Sequence, residues 1–134
     1  GGMPADGAIT FRHLIKTAQA NEARPGLVKA FIAFCADSIR EDSPAYDYFV
    51  SRYRNLRRML EKTLRIMADE LGKSVDHATI CNTAMSILAV MDGLQIQWML
   101  DPDAIGLAEE TERAIKLMLA GALDLNDEER DAIL

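Results

Sequence analysis

At 134 residues, with 49% hydrophobic and 27% charged residues, the chain has the size and make-up of one globular domain that buries its core without disulfide or metal staples. A formal charge of −6 at pH 7 argues against this segment gripping nucleic acid by itself, because phosphate contacts need a basic face. Its apolar stretches are predicted to fall short of the ~18 residues that a membrane-spanning helix needs, and no basic-then-apolar leader opens the chain.

Residues 1–8 read as a disordered lead-in to a domain over residues 9–134. Apolar spacing is helical nearly throughout, which predicts an all-α bundle of about five to six helices. The first helix is expected from about Ile9 to Ala20, with Ile9, Leu14, Ile15 and Ala18 on its apolar side. Arg24-Pro25-Gly26 then breaks the chain, since proline lacks a backbone donor and glycine is loose. A second helix over about Leu27–Arg40 carries Leu27, Ala30, Phe31, Phe34, Cys35 and Ser38 on one stripe and Val28, Ile32 and Ile39 on another. Two apolar sides predict an interior position.

Ser43 followed by Pro44 gives an N-cap and a first helical residue. From there Tyr46, Phe49, Val50, Tyr53, Leu56, Leu60, Leu64, Met67 and Leu71 form one stripe, a helix of roughly 28 residues that Gly72 stops. Arg52, Arg54, Arg57, Arg58, Lys62 and Arg65 lie on its other side and read as a solvated face. Ser74 is expected to cap the next helix, about Val75–Leu100. Ile80, Ala84, Ile87, Met91, Leu94 and Trp98 mark one side of it; Cys81, Met85, Leu88 and Met99 mark another. A domain of this size cannot cover such a helix on all sides, so part of it is expected to meet a second chain. After the turn Asp101-Pro102-Asp103, a helix over about Leu107–Leu123 presents Thr111, Ile115, Met118, Leu119 and Ala122. Asn126 and Glu129 form a capping box that starts a short tail helix.

Nothing here points to catalysis. The acidic residues fall on solvated faces and helix starts, and no glycine-rich phosphate loop or nucleophile–base spacing occurs. Cys35 and Cys81 sit in apolar patterns and are expected to be small buried hydrophobes in a reducing cytoplasm. Cys81 and His77 are four apart on one helix, but His77 reads as a solvated or capping residue of the first turn. With no CxxC, HExxH or ExxH spacing around His13 and His77, no metal and no cofactor are expected.

Three stretches carry a resemblance: Arg24-Pro25-Gly26-Leu27-Val28; Ser43-Pro44-Ala45-Tyr46-Asp47-Tyr48-Phe49 with Arg52-Tyr53-Arg54; and Met91-Asp92-Gly93-Leu94-Gln95-Ile96-Gln97-Trp98-Met99-Leu100-Asp101-Pro102. Together they resemble the C-terminal regulatory domain of the TetR (tetracycline-repressor) family of bacterial transcription regulators, over about Ile9 to Leu123. The resemblance implies a homodimer in which the last two long helices of each subunit form a four-helix bundle. It also implies a pocket for a small effector within each subunit, and a cytoplasmic parent that binds operator DNA and releases it when the effector binds. The family's helix-turn-helix head has no counterpart before Ile9, so DNA binding is expected of the parent through that head.

Aromatic and methionine side chains suit an adaptable pocket for a hydrophobic or aromatic effector. The residues expected to line it are Phe31, Phe34, Cys35, Tyr53, Leu56, Leu60, Met85 and Leu88. The dimer interface is expected to use Ile87, Val90, Met91, Leu94, Gln95 and Trp98, with Ile115, Met118 and Leu119. Two rival readings stand beside this one: a helical adaptor that binds another protein and takes no small ligand, and a helical enzyme of unfamiliar site.

Overall fold

A computed structural model describes residues 5–134. Its elements are α1 (Ala5–Glu22), α2 (Pro25–Asp37), α3 (Tyr46–Glu70), α4 (His77–Leu100), α5 (Leu107–Ala122) and α6 (Asp127–Ala132), with no strand among the described residues. The all-α expectation holds. α1 begins four residues before the expected Ile9, so the last four residues of the lead-in expected over 1–8 are helical, and residues 1–4 lie outside the described residues.

The face that α1 buries is Ala8, Phe11, Ile15 and Ala18, while Ile9 is mostly exposed. Gly7 lets this helix lie close to α3, because a Cβ there would run into the side chain of Met67. Pro25 occupies the first turn of α2, where its missing N–H costs nothing. Ahead of α3, Ser43 does not cap the helix. Its Oγ accepts from Ala45 N within the preceding turn, and helical structure starts at Tyr46. At the other end, Gly72 adopts a φ of +67°, and Lys73 N donates back to the Ala68 carbonyl, so the stop falls where the sequence placed it. The cap of α4 is Asp76 rather than Ser74: its Oδ1 accepts from Thr79 N at 2.7 Å. The Thr79 side chain and then this backbone bond hold the Asp76 carboxyl below the usual range.

α4 and α5 run back along each other. Trp98 and Leu107 share a small apolar cluster at one end, and Ile80 and Leu123 share the main core at the other. The main core joins Phe11 and Ile15 of α1, Leu60, Leu64 and Met67 of α3, Ala84 and Ile87 of α4, and Ile115 and Leu119 of α5. α5 lacks a side-chain cap of its own; the Glu22 carboxylate at the end of α1 accepts from Ala108 N instead. The tail folds back by the predicted capping box of Asn126 and Glu129. Lys73 ties it down, donating to the Asp124 carbonyl and to Glu129, and Ile133 plugs the core.

Two expectations are corrected. α2 is not interior: only Val28 is buried in it, while Leu27, Phe34 and, just beyond its end, Ile39 stay exposed. Four other long helices already enclose the core, and α2 touches only the rim of it. α4, by length and composition alone, is long and apolar enough to cross a membrane. In the fold its Ile80, Ala84, Ile87, Leu88 and Trp98 are buried against neighbouring helices.

Candidate functional site

Because α2 stands off the bundle, a groove of about 650 Å³ opens between its C-terminal half and the start of α3. Cys35, Ser38 and Ile39 form one wall; Tyr46, Phe49, Val50, Tyr53, Arg54 and Arg57 form the other. Phe49 is the aromatic anchor, buried to 5% exposure, with Phe31, Phe34 and Tyr48 each meeting it edge-on at ring separations of 5.6, 5.7 and 5.0 Å. Arg52 stacks over Phe31, 5.3 Å from its centroid.

A second, smaller hollow of about 210 Å³ lies between α3 and α4, lined by Tyr53, Arg57, Met85, Leu88, Ala89 and Asp92. Tyr53 and Arg57 face both spaces, since one turn of α3 separates them. The Tyr53 hydroxyl donates to Asp92 Oδ2 at 2.6 Å, a direct bond from α3 to α4. Burial pushes the Asp92 carboxyl above the usual range, against the Tyr53 bond and the Arg52 charge, which pull it down. The Tyr53 hydroxyl is pushed well up, first by burial and then by Asp92.

Since Asp92 holds a proton more tightly when folded, stability falls as pH rises between the usual aspartate range and the raised native value. Asp92→Asn keeps an acceptor for Tyr53 and removes the buried charge. It is therefore expected to raise the urea midpoint at about pH 7 and to change it little near pH 4. An equal gain at both pH values counts against this account.

Of the residues expected in the pocket, Cys35 and Tyr53 line the groove, and Tyr53, Met85 and Leu88 line the hollow. Phe31 and Phe34 back the groove through Phe49. Leu56 is half-buried against the core, and Leu60, at 0% exposure, belongs to the core itself. Phe49, Val50, Arg54 and Arg57 are lining residues that the sequence does not reveal, because one stripe of α3 reads as core and the other as solvated face. Asp92 is missed too, although a single signal flags it: it is the one Asp, Glu, Lys or Arg in α4.

The expected interface residues divide. Ile87, Ile115 and Leu119 are at 1% exposure or less and Trp98 is at 6%, so their side chains are used up inside the subunit. Val90, Met91, Leu94, Gln95 and Met118 are half-buried along the α4–α5 hairpin. The large apolar side chains left open on these two helices are Met85, Ile96 and Leu100 on α4 and Leu117 on α5.

The cysteines are half-buried and unpaired. Cys81 does lie beside His77, with Sγ 3.5 Å from Nε2, and Arg65 reaches His77 Nδ1 at 2.8 Å. Burial and then Glu61 push the Cys81 thiol up, which works against a reactive thiolate. Among the described residues, no three His, Cys, Asp or Glu side chains converge as metal ligands.

The chain matches no curated protein and no solved structure. Residues 11–125, from the first buried aromatic of α1 to the turn before α6, match the family described as BetI-type transcriptional repressor, C-terminal. That span holds the groove, the Tyr53–Asp92 bond and the α4–α5 hairpin alike. The chain therefore belongs to the TetR-type C-terminal domains of BetI-type transcriptional repressors.

Proposed function

We propose that the chain is the effector-sensing and dimerisation domain of a TetR-type transcription regulator, acting in the bacterial cytoplasm. The parent binds operator DNA through a helix-turn-helix head and releases it when a small hydrophobic or aromatic effector enters this domain. One observation carries the reading beyond family membership: the groove-lining Tyr53 is bonded directly to Asp92 of α4. α4 is also half of the hairpin whose outer side leaves Ile96, Leu100 and Leu117 uncovered.

An effector pressing into the groove competes for Tyr53 or moves it. Asp92 then loses its partner or follows it, and α4 shifts against α3. A shift of α4 is felt by whatever packs on its outer side, which in this reading is the twin subunit. The coupling is as large as the difference in effector affinity between the two positions of α4.

A melting screen with hydrophobic and aromatic small molecules tests this. A true effector present at 100 times its Kd stabilises the fold by about 2.7 kcal/mol, a rise of several degrees in Tm. A broad panel that leaves the melting curve in place sinks the sensor reading.

A further inference from the structure

The groove is apolar along its walls and carries one sign of charge. Arg54 and Arg57 both line it, and Arg57, half-buried, also faces the hollow behind Tyr53. Among the described residues neither guanidinium comes within 4 Å of a carboxylate. Asp92, which lines the hollow together with Arg57, is engaged by the Tyr53 hydroxyl. Burial further disfavours its ionised form.

We propose that the effector of this groove is an amphipathic anion, an apolar or aromatic body ending in a carboxylate, with that carboxylate on Arg57 and the body against Ile39, Phe49 and Val50. The inference rests on the groove being the effector site and adds the charge of what enters it. A half-buried guanidinium has lost part of its hydration and has no counter-charge in return, so an anion arriving there completes it. A cation of the same shape meets repulsion from two arginines, and a neutral molecule leaves the half-buried Arg57 without a counter-charge. The planar fork of arginine matches a carboxylate with two parallel hydrogen bonds. The groove volume of about 650 Å³ is in the range of small-molecule sites, with room for a body of this kind.

Two sets of tail-matched probes separate the outcomes in calorimetric titration of the chain: decanoate, decanol and decylamine, and phenylbutyrate, phenylbutanol and phenylbutylamine. In at least one set the carboxylate is expected to bind about tenfold or more tightly than the alcohol, and the amine most weakly. Arg57→Gln is expected to erase the carboxylate advantage and leave alcohol binding in place, which also shows that the groove still forms. Alcohol or amine binding as tight as the carboxylate in both sets overturns the anionic effector and leaves the sensor reading standing. A carboxylate preference that survives Arg57→Gln overturns it too. If no member of either set binds, the sensor reading fails and takes this inference with it.

Discussion

A Leu117→Glu chain is expected to run as a monomer at micromolar concentrations where the unaltered chain, on the proposed assembly, is expected to run as a dimer. Leu117 is 62% exposed on the outer side of α5, so in a single subunit the substitution only replaces one solvated side chain by another. In a symmetric pair the same patch meets itself, so one substitution puts two carboxylates into the interface. Burying unpaired charge costs several kcal/mol, and central apolar contacts are worth about 2 kcal/mol or more, so Kd should rise at least about 100-fold. Light scattering reads the mass and circular dichroism confirms unchanged helicity. A variant that stays dimeric shows that Leu117 is not in the interface. An unaltered chain that stays monomeric at high concentration, with Ile96, Leu100 and Leu117 bare to water, undoes the proposed assembly altogether.

The largest expected loss of stability is at Phe11, which is wholly buried among the helices of the main core. Phe11→Ala deletes a ring that the neighbouring helices cannot collapse to replace, a cost of about 3–5 kcal/mol. For a domain whose whole stability is about 5–15 kcal/mol, that is a substantial fraction of the total. The urea midpoint should fall sharply with an unchanged slope. Phe34→Ala, at a ring that is 55% exposed, is expected to cost less than about 1 kcal/mol in the same measurement. Equal losses at the two phenylalanines would mean that α2 is packed far more tightly than its exposure shows.

Those two phenylalanines show why the sequence was readable in one respect and opaque in another. Both sit in helices whose existence follows from apolar spacing, and both helices form. Periodicity gives the direction of a side chain about its own axis, but not whether another helix stands in that direction. Phe11 points at α3 and α5 and vanishes; Phe34 points past the rim of the bundle and does not. The same limit explains Leu60, drawn into the core rather than a pocket, and Ile87, Trp98, Ile115 and Leu119, spent within the subunit rather than between subunits.

What the sequence determined by itself was local. The left-handed stop at Gly72 and the capping box of Asn126 and Glu129 depend on a few neighbouring residues, and each stands where it was expected, while the break expected over Arg24-Pro25-Gly26 falls at Ala23 and Arg24, with Pro25 opening α2. Only the tertiary structure decided that α2 leans away, and so that a groove opens beside Phe49. It also decided that Tyr53 of α3 meets Asp92 of α4 across 39 positions of chain, and that Arg57, half-buried, lines a hollow between α3 and α4. These are relations between elements, set by how many helices can share one core. No spacing along the chain encodes that number.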